Sequence, residues 1–386
     1  MSSKKKPKVH RYYKKQKSKP VTGPGRTFLS VLVTLILALA LGVVGYSVAK
    51  PIMEFFADDS SSDIEEDMQI ESTTESIATE TTITTETTVL EEETEEETSE
   101  ENTALSGVGV RLDADALSDA TSLSDAIANA MAEEPDCTYV IVPLKVEGGA
   151  ILYQTEVTLA STCGAAQGTL TLEEIVGAVE DAGLQPVAEC SLLYDNLLPD
   201  ADSTAGYLIE SSSTRWLDNS ADNGGEPWVS PFSSVTVEYL TDITTEIAQA
   251  GFSEIWCCDV IFPDFRSSDL EYIGEIVQDE DRGEVLVELL ETLADAADSV
   301  PLYLETDAAS VMEGTDEAFD PDALTIAGVV LDLETETSAE DVQAWMETEA
   351  PGWSAYYMIP SDLYTSTLAE SDIVSDTQFL GWVIYT

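Results

Sequence analysis

Apolar and polar positions along this chain change period three times. Residues 27–49, TFLSVLVTLILALALGVVGYSVA, form one uncharged apolar run. A run of roughly 20 such residues is long enough to span a bilayer as a helix, and longer than the core of a cleaved leader. Residues 50–106 have few large apolar side chains; the stretch ESTTESIATETTITTETTVLEEETEEETSEEN is typical. It cannot bury enough surface to offset the entropy of ordering, so it reads as an extended, charge-repelled stalk.

From Gly107 onward short β-branched runs alternate with helical patterns. Strands are expected at Val108–Leu112, Thr138–Leu144, Gln185–Leu192, Glu254–Phe262, Pro301–Glu305, Ala327–Leu333, Ser354–Ile359 and Phe379–Tyr385. Helices are expected from Ser124 to Met131, Leu172–Gly183, Val235–Gly251, Glu284–Ala297 and Ala339–Thr348. EVLVELLETLADAA, at 284–297, carries a clear 3.6-residue period. Eight strands alternating with helices over about 280 residues predict an α/β fold of the (β/α)8, TIM-type barrel class. No Gly-rich phosphate loop follows the first strand, which disfavours an open doubly wound sheet.

Charge sharpens the division. Ten of the sixteen Lys and Arg precede residue 27, whereas all 75 Asp and Glu follow residue 53. Residues 1–26 are therefore a basic tail, expected to stay in the cytoplasm, with one membrane-spanning helix at 27–49 and the barrel at 107–386 outside the cell membrane. Only Arg111, Lys145, Arg215, Arg266 and Arg282 are basic beyond residue 50. A domain this acidic is unsuited to nucleic acid, whose phosphates need cations.

The single His, His10, lies in the tail, so the outer domain has no imidazole for Ser-His-Asp or Cys-His catalysis. No metal or cofactor motif is present. The five Cys match no zinc spacing; they read mainly as small buried side chains, with a Cys190–Cys258 bridge as an alternative. Acid–base work by carboxylates is the main chemistry left.

In a barrel, functional groups stand at the C-terminal strand ends. Asp259 on strand 4 and Glu305 on strand 5 are the candidate catalytic pair for glycoside hydrolysis, in which one carboxyl group protonates the leaving oxygen and the other attacks or activates water. Lys145, Asp195, Trp228, Cys258, Asp332, Glu334 and Tyr356 are candidate carbohydrate-binding residues near the same rim, with Tyr194, Trp256 and Tyr357 as further rings for sugar stacking.

The segment WVSPFSSVTVEYLTDITTEIAQAGFSEIWCCDVIFP, from Trp228 to Pro263, resembles a bacterial barrel family of glycosyl hydrolase type and unknown function, whose members read roughly W-V-D-P, a helix, then G-F-D-E-I-Q-F-D-Y-V-R-F-P. VIVPLKVEGGAILY (Val140–Tyr153) and QPVAECSLLYD (Gln185–Asp195) are similar to its second and third strands. The resemblance implies a barrel related to amylase-like glycosidases, which place a nucleophilic Asp on strand 4 and an acid Glu on strand 5. Lys145, Asp195, Trp228, Pro231, Glu254, Phe262 and Pro263 agree with the pattern. The family's strand-4 Asp, however, falls on Cys258, its strand-3 Arg on Glu189, its strand-2 Asp on Pro143 and its W-V-D-P Asp on Ser230. A bulge before Asp259 would return that side chain to the inner face; without one it points into the helical layer. The expectations are a glycoside hydrolase acting on polysaccharide, or a barrel that binds glycan or serves the envelope without catalysis.

Overall fold

The computed structural model describes residues 104–274, 277, 282–333, 337–364 and 377–385. The tail, the 27–49 apolar run and all but the last residues of the stalk lie outside them. Among the described residues no helix is long and apolar enough to cross a membrane.

Eight parallel strands close into a barrel: β1 Gly107–Arg111, β2 Cys137–Lys145, β3 Gln185–Ser191, β4 Glu254–Cys258, β5 Leu302–Asp307, β6 Gly328–Asp332, β7 Ala355–Pro360 and β8 Phe379–Tyr385. Each pairs with the next in sequence and β8 pairs with β1. All eight fall where the alternation of apolar runs predicts them. β4 is shorter than expected because the chain turns sharply after Cys258.

The longer helices are α1 Ala120–Glu133, α2 Leu172–Asp181, α3 Ser234–Ala248, α4 Arg282–Ala297 and α5 Ala339–Glu349. α1 starts four residues before its expected Ser124. The Asp119 carboxylate accepts from Thr121 N (2.8 Å) and Ser122 N (2.9 Å), so the cap lies one turn upstream of the apolar periodicity. α2 opens with a reciprocal capping box between Thr171 and Glu174. α4 buries Leu286, Leu289, Leu290, Leu293 and Ala297 along one stripe and lies beside α3, which buries Tyr239, Leu240, Ile243 and Ile247.

Strand alternation separates two apolar sets. Outward side chains, such as Val140, Val142 and Leu144, pack under the helices. Inward side chains, Tyr139, Ile141, Val187, Trp256, Tyr303, Val330, Tyr356, Met358 and Val383, fill the barrel. Space for the Tyr139 ring comes from Gly109, where a Cβ would stand 2.1 Å from a ring carbon. At the N-terminal end of the barrel the buried Glu254 carboxylate accepts from Leu105 N (3.1 Å), Trp256 Nε1 (2.9 Å) and Tyr356 Oη (2.8 Å). Burial raises its pKa, against the lowering effect of these donors. This plug closes the bottom and leaves the C-terminal face open.

Candidate active site

The open face carries a cleft in two halves, of about 390 and 430 Å³, which share Cys258, Asp259 and Glu305. The first half is bounded by Arg111, Glu189 and Tyr385, among others; the second includes Ile261, Asp307, Asp316 and Asp332. Each side chain is placed by the strand that ends there. Glu189 follows Val187 on the inward face of β3, Glu305 follows Tyr303 on β5, and Asp332 follows Val330 on β6.

β4 runs in unbroken register against β3, pairing Cys190 with Cys257 and Ser191 with Cys258. There is no bulge, so the inward residue after Trp256 is Cys258. Asp259 nevertheless borders both halves of the cleft, by another route. Its φ is +53°, in the left-handed region, and its carbonyl accepts from Leu193 N at 3.1 Å. The backbone turn, rather than strand alternation, directs Asp259 to the cleft, an arrangement absent from both alternatives the strand pattern offered. A left-handed non-glycine residue is energetically unfavourable and marks a constrained position.

The electrostatics centre on Glu305. Burial pushes its carboxyl well above the ordinary carboxylate range. The charge of Glu189 raises it further, Arg111 opposes this, and Asp332 and Asp259 add to the rise. Its Oε2 has no hydrogen-bond partner among the described residues. Glu189 is 2% exposed; its Oε1 accepts from Arg111 Nη2 at 2.6 Å, while its Oε2 is unpartnered among the described residues. Burial raises the Glu189 carboxyl, Arg111 lowers it and Asp259 raises it. Burial works against the Arg111 charge, but Glu189 and then Glu305 more than offset this and hold the guanidinium above its ordinary value. Tyr385 Oη donates to Asp332 Oδ1 at 3.1 Å. The Cys258 thiol is pushed well above its ordinary value by burial first, then by Glu305, Glu189 and Asp259, which leaves it unsuited to thiolate chemistry. A carboxylic acid kept protonated beside other carboxylates can deliver a proton, with a neighbouring carboxylate as its counterpart.

The other expected site residues divide by position. Cys258 and Asp332 face the cleft; Glu334 lies outside the described residues. Lys145 and Asp195 have fully buried side chains that pair with each other at 3.0 Å. The β2–β3 register slips between Pro143 and Lys145, which sets Lys145 level with the outward Cys190. Pro143 has no N–H for the ladder, and a one-residue slip moves the following side chain to the other face. Lys145 Nζ also donates to Ser191 O at 2.8 Å. Trp228 stacks on Tyr194 with centroids 4.4 Å apart and an 8° interplanar angle, and Trp228 Nε1 donates to Asp218 Oδ2 at 3.3 Å. Neither ring lines the cleft.

Tyr356 corrects an expectation. It is the second residue of β7, fully buried at the bottom of the barrel against Glu254, at the end opposite the cleft. Trp256 is likewise buried inside, and Tyr357 faces outward against Phe379 and Trp382. The sequence places these rings on strands but not at a height along them. The residues it overlooked are Arg111, Glu189 and Tyr385. Arg111 ends the first strand and is one of five basic residues in the domain, which was the available signal. No Cys is bridged in the structure, and Cys190 and Cys258 remain separate thiols.

Known proteins agree with this architecture. Residues 109–311, just over half of the chain, match a family model described as "putative glycosyl hydrolase domain". No curated protein matches the sequence. Among solved structures, a chitobiase from Flavobacterium johnsoniae aligns at a TM-score of 0.50 and 14% identity, over 73% of this chain and 44% of its own. A β-N-acetylhexosaminidase from Bacteroides fragilis NCTC 9343 aligns at 0.47 and 12%, over 73% and 61%. A hypothetical protein from Ruminiclostridium thermocellum ATCC 27405 aligns at 0.43 and 17%, over 50% and 96%. At 14% identity the likeness to the chitobiase speaks for the barrel fold alone. From the family match and the closed eight-stranded barrel together, the chain belongs to the glycosyl hydrolase-type family whose domain that description names.

Proposed function

We propose that this chain is a membrane-anchored glycoside hydrolase whose barrel faces outward and cleaves a polysaccharide, with Glu305 as the proton donor and Asp259 as the opposing carboxylate. The observation that carries the proposal is Glu305, a buried carboxyl held above the usual carboxylate range beside three other acidic side chains, at the junction of both halves of an open cleft. In hydrolysis Glu305 gives its proton to the leaving glycosidic oxygen as the bond to the anomeric carbon breaks. Asp259 attacks that carbon or takes a proton from the water that does. Asp332, bonded to Tyr385, is placed to accept from a sugar hydroxyl. The anchor and the outward orientation rest on the 27–49 apolar run and the basic residues before it.

Cys258 favours a second reading. It occupies the inward position of β4 where the similar family carries Asp, as expected of a barrel that has kept glycan binding and lost cleavage. The two readings separate in one experiment: incubate the full chain in detergent micelles with a panel of wall and plant polysaccharides, and follow binding by calorimetry and products by chromatography. Oligosaccharide release lost in both Glu305→Gln and Asp259→Asn establishes the hydrolase. Binding without release, unchanged in either variant, leaves the glycan-binding module.

A further inference from the structure

Inside a closed eight-stranded barrel the inward side chains stack in tiers, each drawing on every second strand. Gly109, Val187, Tyr303 and Tyr356, on β1, β3, β5 and β7, make one tier, in which the Tyr303 and Tyr356 centroids are 5.3 Å apart. Two residues further along the same four strands stand Arg111, Glu189, Glu305 and Met358, which the strand registers set at one height. This tier is the floor of the cleft, with Cys258, Asp332 and Tyr385 from the even-numbered strands above it. It holds one guanidinium and two carboxyl groups.

An arginine keeps its proton in any protein setting. Arg111 Nη2 donates to Glu189 Oε1 at 2.6 Å, and the Glu189 side chain is 3% exposed. Glu189 is therefore the ionised carboxyl of the tier, since as a neutral acid it would leave the guanidinium charge unmet. Once that pair is neutral, a second carboxylate beside it would be an uncompensated charge, which a retained proton removes. Glu305 Oε2 is buried and accepts from no donor among the described residues. The proton affinity of Glu305 agrees: after burial, Glu189 is the largest influence raising it, ahead of the opposing pull of Arg111. The other groups facing Glu305 do not reverse this. Cys257 and Cys258 on β4 stay thiols. Asp332 on β6, which accepts from Tyr385 of β8, and Asp259 after β4 add to the rise. Lys145 of β2 is paired to Asp195, and β7 contributes the uncharged Met358. Asp307 and Asp316 accept from backbone N–H groups of Ser310, Ala318 and Phe319, and Asp113 and Glu147 are exposed to water.

We infer that Arg111 and Glu189 are positioning residues for Glu305: bonded to each other across the tier, they satisfy each other's charge and so keep the proton on Glu305. The pair acts through Glu305 and breaks no bond of the substrate itself. What the proton is used for rests on the hydrolase reading above; that it is held there does not.

Infrared difference spectra of the full chain in detergent micelles at neutral pH read the proton directly. Wild type minus Glu305→Gln is expected to show the C=O band of a protonated carboxyl. In a Glu189→Gln background the same subtraction is expected to show carboxylate bands, because Glu305 is then the only carboxyl left in the tier and pairs with Arg111. Glu189→Asp, which keeps the charge, is expected to restore the acid band. Urea midpoints of the same proteins give a second readout. Glu305→Gln is expected to stabilise the wild-type protein at neutral pH and to destabilise the Glu189→Gln protein. In that background the Glu305 carboxyl is lowered, so its contribution is present above about pH 4.3 and is lost as pH falls. A carboxylate band in wild type, an acid band that survives Glu189→Gln, or urea effects of the same sign in both backgrounds overturns the inference. Should Glu189→Gln not fold, Arg111→Gln decides, at a side chain that is one-third exposed. Without the cation neither carboxyl ionises, so the spectrum gains a second acid band; an unchanged or lost band overturns the inference. Chromatography of glycan products on the same samples separates it from the hydrolase reading. The expected bands without oligosaccharide release keep the inference and remove hydrolysis. Release with a pH profile that Glu189→Gln leaves unmoved does the reverse.

Discussion

Asp195→Asn isolates the charge of the Lys145–Asp195 pair. The substitution keeps shape, and it keeps the Oδ1 acceptor that caps Leu198 N at 3.1 Å. It removes only the carboxylate 3.0 Å from Lys145 Nζ. Both side chains are 0% exposed, so no solvent reaches the ammonium left behind. Breaking one partner of a buried pair typically costs about 3–5 kcal/mol. For a domain of this size that corresponds to a fall of about 10 °C in Tm. Lys145→Met combined with Asp195→Asn removes the stranded charge and is expected to return to within about 1.5 kcal/mol of wild type, the remainder reflecting the lost bond from Nζ to Ser191 O. Urea denaturation followed by tryptophan fluorescence measures all three proteins. A loss below about 1 kcal/mol in Asp195→Asn, or a double variant no more stable than the single, refutes the reasoning. A large rise in KM with unchanged stability would instead return Lys145 and Asp195 to the substrate.

Four further outcomes are expected. Glu305→Gln lowers turnover by about 10²–10⁴-fold, as loss of a general acid does, measured by product release. Because the folded Glu305 carboxyl lies above its unfolded value, its contribution to stability is full below about pH 4.3 and is lost as pH rises through the raised value; the Glu305→Gln protein therefore matches wild type in acid and is the more stable at neutral pH, read from urea midpoints across pH. Tyr356→Phe removes the donor to Glu254 and costs about 1–3 kcal/mol in the same denaturation assay, with KM unchanged because the ring lies at the closed end of the barrel. Burial is the first cause holding all five thiols above their ordinary values, with Cys137 pushed up to about 11 and Cys190 to about 12, so a colorimetric thiol reagent at pH 8 labels the native protein slowly and all five Cys on unfolding. Rapid labelling of Cys258 in the native state would contradict its acidic, half-buried setting.

The local pattern of the chain already determined the barrel. Eight apolar runs too short for helices, separated by stretches of 3.6-residue period, admit few arrangements other than eight parallel strands with helices outside, and each strand falls at its expected place. The same pattern located the carboxylates at strand ends, because a position near the end of a run is a linear property. Which end of the barrel a ring occupies is not linear: Tyr356 lies at the start of β7 and is sealed inside, whereas Tyr385, at the end of β8, reaches the cleft. Side-chain direction was also beyond the sequence wherever the backbone departed from regular alternation. The slip after Pro143 takes Lys145 to its buried partner, and the left-handed turn at Asp259 brings that carboxylate to the cleft without a bulge. Only the closed barrel decides that Arg111, 78 residues from Glu189 in the chain, pairs with it across the interior and brings Glu305 beside Glu189, Asp259 and Asp332. Periodicity is fixed by neighbours along the chain; charge pairing and proton affinity are fixed by neighbours in space, which closure of the sheet alone brings together.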